Sequence, residues 1–254
     1  MKRRKLRTNR VIVLILLFFI VGIIAGGLIG YKEDKEKISE GITLLDRSII
    51  DADARFSYIK IPAVDQDGNG VSTDLLVEVL PGNGRTLVDI DNLLFWADTQ
   101  NSIRMAKEVA SNYTGMDLGG YDVIYHIQAN ASLIGGPSAG SAITIATVAA
   151  LESKKLREDV MITGSVNHDG SLGPVGEITG KARVAKEKNA TIFLVPLLQS
   201  REVTYEERQY CRNFGFTEFC TMEQIPVNIN VGEAAGIEVI EVGNIEEALE
   251  YFYE

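Results

Sequence analysis

The stretch Gly135-Gly136-Pro137-Ser138-Ala139-Gly140 is answered, 43 residues after its serine, by Thr179-Gly180-Lys181-Ala182-Arg183. A serine hydroxyl is a weak nucleophile until a base takes its proton. A lysine can be that base only where its surroundings keep the amine neutral. The glycines let backbone approach a substrate closely, and Pro137 pre-sets a helix start. A serine at such a start faces free backbone N–H groups, here those expected around Gly136, Pro137 and Ser138, that can hold an oxyanion. The plainer role for Ser138 is to cap the helix that follows. For Lys181, beside Ile178, Ala182 and Val184, the apolar setting lowers its proton affinity, whereas a solvated surface lysine is the commoner fate of the residue type.

Working outward, Ser141 to Leu151 reads as a small, apolar helix fit for burial, and Ile178 to Lys188 as the lysine helix. Strands are expected at Phe56 to Val64, Asp74 to Leu80, Arg85 to Ile90, Tyr121 to Ala129, Val160 to Val166, Ile192 to Val195 and Ile237 to Val242. Helices are expected at Asp98 to Tyr113 and Ile245 to Phe252. His168-Asp169-Gly170 reads as a turn. After Pro196 the periodicity loosens until about residue 236, and no repeat or low-complexity tract appears. Strands and helices mix without regular alternation, which predicts an α+β fold.

Gly136-Pro137-Ser138-Ala139-Gly140, Val160-Met161-Ile162-Thr163-Gly164-Ser165, Gly173-Pro174-Val175-Gly176-Glu177-Ile178 and Gly180-Lys181-Ala182, in this order, resemble the proteolytic domain of the Lon protease family. The resemblance is strong over residues 121 to 196, reaches weakly upstream to about 56, and resumes at 237 to 252. It implies the ribosomal protein S5 domain 2-like fold over 56–254, with an insertion at about 197–236. It also implies serine endopeptidase activity, with Ser138 as nucleophile, Lys181 as base and Thr163 in support of the lysine. His126, twelve residues before Ser138 on a strand, is a candidate supporting residue, with a core or cleft histidine as the alternative. Such a dyad calls for no metal and no cofactor. The family's frequent acidic residue three before the serine is replaced here by Gly135, and nothing in the sequence resembles the family's ATPase module. The whole looks like the ATPase-lacking, membrane-anchored archaeal Lon-like peptidases. Family resemblance also raises assembly as a hexameric ring.

Residues 11–30 carry no charge, enough to span roughly 30 Å of hydrocarbon as a helix. Six basic residues precede them (Lys2, Arg3, Arg4, Lys5, Arg7 and Arg10). That asymmetry predicts a cytoplasmic tail over 1–10, a single-pass anchor and an extracytoplasmic domain. A cleaved signal peptide, with Ala25-Gly26-Gly27 as its site, is the competing reading. Ile38, Ile42, Leu45 and Ile49 predict a helical stalk over 31–55. Taking the tail's charge off the net −10 leaves −16 on the remainder, which excludes nucleic acid as a partner. Protein or peptide chains are the expected substrates, loose or emerging from the membrane. Cys211 and Cys220 are either a short-range disulfide or two buried thiols.

Rival readings rest on single motifs. Gly-x-Ser-x-Gly also opens α/β-hydrolase sites, for which Asp159 and His168 have the right order but too little chain between them. A GHMP-type kinase uses a glycine-serine loop for phosphate. Gly176 to Ala182 falls one residue short of a P-loop. Asp65, Asp67, Asn69 and Gly70 match part of a calcium loop, but position twelve is Leu76. A non-catalytic peptide-binding or assembly module is the remaining alternative.

Overall fold

The computed structural model describes residues 54–65, 69–90, 94–95, 97–129, 133–134 and 136–253. The tail, the apolar run and the stalk up to residue 53 fall outside them, as do Asp67 of the calcium-like turn and Gly135, while Arg55 at the stalk's expected end opens a strand. Among the described residues no helix is long and apolar enough to cross a membrane.

Alternating side chains build the first layer. β1 (Arg55–Val64) and β2 (Gly70–Pro81) form an antiparallel hairpin. β5 (Tyr121–Ala129) pairs antiparallel with β2, and β3 (Thr86–Ile90) parallel with β5, giving the order β1-β2-β5-β3. One face buries Ile59, Ile61, Leu75, Val77, Val79, Val123, Tyr125 and Ile127. Each such large apolar side chain is worth about 1.5–3 kcal/mol when taken from water. Helix α1 (Ala97–Thr114) adds Ile103, Ala106, Val109 and Ala110. The pair β4 (Leu94–Phe95) and β6 (Leu133–Ile134) lies before the serine turn.

Helix α2 (Gly140–Glu152) is buried from Gly140 to Leu151. Its alanines at 142, 146, 149 and 150 allow close approach on every side. Its two buried threonines avoid an unmet donor by bonding the carbonyl four residues back, Thr144 to Gly140 and Thr147 to Ile143, each at 2.7 Å.

The second layer is parallel. β7 (Val160–Ile162), β10 (Ile192–Pro196) and β13 (Glu238–Val242) run in the order β13-β10-β7. Helix α3 (Ile178–Glu187) joins Met161, Phe193, Val195 and Val231 in a separate apolar cluster through Ile178, Ala182 and Ala185. Helix α4 (Val231–Ala235) precedes β13, and α5 (Ile245–Phe252) closes the chain over α2. The molecule is thus a mixed fold in which strand–helix alternation returns in the C-terminal third.

Two segments differ from the sequence expectation. The strand expected over Val160 to Val166 breaks after Ile162, because Gly164 takes φ 150°. β8 (Ser165–Val166) then pairs with β9 (Leu172–Gly173) around the His168 turn. The loosened stretch after Pro196 is a long hairpin arm, β11 (Arg201–Phe214) and β12 (Thr217–Asn230), turning at Gly215-Phe216. Only its root is shielded, where Glu202, Thr204, Ile225, Val227 and Ile229 face inward. The rest is exposed, and Cys211 and Cys220 are bonded directly across the strands.

Candidate active site

Gly136 sits at φ 95° and ψ 160°, a region that glycine alone enters freely. A side chain there would meet nothing within 4 Å, so conformation rather than crowding calls for glycine. Pro137–Ala139 then form one 3₁₀ turn leading into α2. The N-cap of α2 is Ala139, with no side-chain cap bond. Ser138 is therefore not a capping serine, and its half-exposed side chain is not spent on the helix. Of the three residues expected to form an oxyanion hole, Gly136 and Ser138 can donate N–H. Pro137 has no backbone N–H and supplies only its fixed φ.

The serine turn is stitched to the break after β7. Gly164 N–H donates to the Ser138 carbonyl at 3.0 Å, and Ser141 N–H donates to the Gly164 carbonyl at 3.0 Å. Thr163 is fully buried; its N–H donates to Leu194 at 3.1 Å and its hydroxyl to the Ser138 carbonyl at 3.3 Å. Thr163, expected beside the lysine, thus holds the serine's backbone. Gly140 allows a close approach to β8: a Cβ there would stand 3.1 Å from the Val166 nitrogen.

Lys181 is 5% exposed, packed on the Ile178, Ala182 and Ala185 cluster. Its Nζ donates to the Gly176 carbonyl at 2.8 Å, and Gly176 is exposed, so the buried stem ends at the surface of the turn. Among the described residues no hydrogen bond joins Lys181 to Ser138. A short bonded path does: Ser138 to Gly164, β8 to β9, then the turn that carries Gly176. Burial lowers the Lys181 pKa to about 8, while the charges of Glu177 and Glu202 pull it back up.

The turn before α3 is unusual. Glu177, its N-cap, lies at φ 59° and offers no side-chain cap. The cap comes from the arm instead: the Glu202 carboxylate accepts from Ile178 N–H at 3.1 Å and Thr179 N–H at 2.9 Å. Gln199 bonds both the N–H and the carbonyl of Val175, at 2.9 and 2.7 Å. Nothing in the sequence marks Gln199 or Glu202, because they lie where no periodicity or motif is visible. Two buried hydroxyls nearby, Ser141 and Thr179, have no hydrogen-bond partner among the described residues. Their spacing of three and two residues from Ser138 and Lys181 could have drawn attention.

The other candidates lie apart from this path. His126 has both ring nitrogens taken, by Asp89 at 3.1 Å and Glu78 at 3.2 Å, on the face of the first sheet away from the helices. His168 pairs with Glu108, and Asp159 with Arg157 and Thr191, so the hydrolase-type triad is not assembled. The N–H groups a phosphate would need after Gly176 are occupied by Glu202. Asp65 and Asn69 bond each other across the β1–β2 turn. Cys211, Glu218 and Cys220 cluster, but the disulfide consumes both thiols.

The profile of the Lon protease (S16) C-terminal proteolytic domain matches residues 99–244, more than half of the chain. The archaeal Lon protease of Methanothermobacter thermautotrophicus is 31% identical over 111 residues, covering 43% of this chain and 17% of that protein. The Lon protease of Lawsonia intracellularis is 25% identical over 171 residues, 67% of this chain and 19% of its own length. The archaeal Lon protease of Thermococcus kodakarensis is 26% identical over 104 residues, 41% and 16% of the two chains. The chain thus aligns with less than a fifth of each of these relatives.

Proposed function

The chain belongs to the Lon protease C-terminal proteolytic domain family, and we propose that it is a serine endopeptidase working through a Ser138–Lys181 dyad. The observation that carries this reading is Lys181. It is a buried amine whose hydrogen bond goes to a neutral carbonyl rather than a carboxylate, in a chain whose Ser138 caps nothing. With its pKa lowered to about 8, a useful fraction is neutral near physiological pH. In the reaction the neutral amine leaves Gly176, takes the Ser138 proton as Oγ attacks the peptide carbonyl, and returns it to the leaving amine. The Gly136 and Ser138 N–H groups face the oxyanion, and water then frees the acyl-enzyme.

The same proposal places the apolar run 11–30 in the cell membrane, with the N-terminus cytoplasmic, the stalk 31–55 above it and the domain outside. Substrates in this reading are loose, unfolded or membrane-emergent chains. Ring assembly of copies belongs to the same reading.

The bond from Lys181 to Gly176 favours a second reading: a non-catalytic module of this fold that binds peptides or assembly partners. One experiment separates them. The full chain in detergent is assayed on an unfolded protein substrate beside Ser138→Ala and Lys181→Ala. The peptidase reading expects cleavage by the parent and a loss of at least about a thousandfold in each variant. Undiminished turnover in either variant, or no cleavage and no labelling of Ser138 by a serine-directed phosphonate in the parent, overturns it.

A further inference from the structure

We propose that Gln199 and Glu202, at the root of the exposed arm, are positioning residues that hold the Gly176-Glu177 turn so that Lys181 can exchange its proton. This rests on the peptidase reading.

The four bonds of Gln199 and Glu202 bracket two residues. Gln199 fixes Val175 on one side, and Glu202 fixes Ile178 and Thr179 on the other. Between them stand Gly176, whose carbonyl takes the Lys181 amine, and Glu177, held in a left-handed conformation that a non-glycine residue adopts only under constraint. The local sequence cannot hold this arrangement, because Glu177 caps nothing. Without the bracket the turn is free to relax, and the Gly176 carbonyl moves with it.

The clasp is itself seated. Ser200, between its two members, donates its N–H to Glu241 on β13 at 2.8 Å and accepts from Val231 N–H at 3.0 Å. So the groups that orient the lysine are tied to the parallel layer through β13, not only to the exposed length of the arm. A carboxylate at the start of a helix is also favoured by the exposed N–H groups and the helix dipole.

Electrostatics points the same way. The charges acting on the amine are Glu177, on the turn, and Glu202, from β11. The other elements packed on α3 bring apolar groups: Val64 of β1 against Gly180, Gly70 of β2 against Val184, and Val231 of α4 in the shared cluster. Glu202 thus does two separable things: it caps the turn, and it favours the protonated amine.

The test uses the full chain and four variants, three at Glu202 and Gln199→Ala, with kcat and KM followed against pH. Glu202→Gln keeps an acceptor oxygen but loses the charge. Its acid limb should move to lower pH by roughly half a unit or more, with the plateau kcat within a few-fold of the parent. Glu202→Ala loses both functions, and its plateau kcat should fall about tenfold or more with KM changed far less. Glu202→Asp should fall between them. If Glu202→Ala does not fold, Glu202→Gln and Gln199→Ala carry the test. Limbs that superimpose on the parent's, with unchanged kcat in all variants, overturn the inference. A Ser138→Ala chain that still cleaves fully defeats the peptidase reading alone. NMR titration of the 13C-labelled Lys181 ε-carbon in Glu202→Gln and parent then still decides whether the clasp governs the amine.

Discussion

At the scale of single residues the site depends on a cation kept from water. Lys181 has a folded pKa of about 8 against an ordinary 10.5. Between those values the unfolded chain binds more protons than the folded one, so stability rises as pH climbs through that window and is lowest below it. In the proposed reaction the same titration supplies the base. Cleavage should increase with pH through about 8 and level off above, measurable as kcat/KM on a short peptide. Lys181→Met should abolish cleavage yet raise the melting temperature, by a gain on the order of 1–3 kcal/mol near neutral pH. A variant that lost both activity and stability would show the amine to be structural. Ser138 and Lys181 could be singled out in the sequence because glycines and small residues announce tight turns. The lysine's partners could not: the carbonyl it bonds and the carboxylate that biases it are set by a left-handed Glu177 and by a strand more than twenty residues away.

At the scale of elements, the placement of α2 decides where Ser138 stands. The helix was readable from Ser141 to Leu151 because a run of small apolar residues without a polar face can only be buried. What the sequence could not show is how tightly its first turn meets β8. A methyl group on Gly140 would lie 3.1 Å from the Val166 nitrogen and 3.3 Å from its Cγ1. Gly140→Ala should therefore push the start of α2 from β8, costing about 1–3 kcal/mol. It should lower kcat more than the stability loss explains, since the Ser138–Gly164 bond shares that contact. Denaturant unfolding beside single-turnover kinetics checks both. The break at Thr163-Gly164 escaped the strand pattern for a related reason: three buried apolar residues followed by Thr-Gly-Ser-Val read as one strand, while the φ of Gly164 that ends it has no signature beyond the glycine.

At the scale of the whole molecule, most strands and helices of the two layers were readable one by one, and the arm was not. Charges at Glu206, Glu207, Arg208 and Glu223 interrupt the alternation that Val203, Tyr205, Val227 and Ile229 would otherwise show. Its strand edges pair only with each other, and a two-stranded hairpin is marginal in water. The Cys211–Cys220 bond is then its main local support. Replacing both cysteines by serine should weaken the arm by about 2–3 kcal/mol while leaving the melting of the domain nearly unchanged, seen as faster amide exchange confined to 203–228. Global destabilisation instead would mean that the arm folds as one unit with the rest. The arm has one more consequence, for anyone who handles the protein. Residues 197–236 contain no lysine and three exposed arginines, Arg201, Arg208 and Arg212, of which only Arg212 lies inside the disulfide loop. A trypsin nick after Arg212 would sever the backbone yet leave the two fragments joined through sulfur, so the preparation would run as one intact band until reductant is added to the gel.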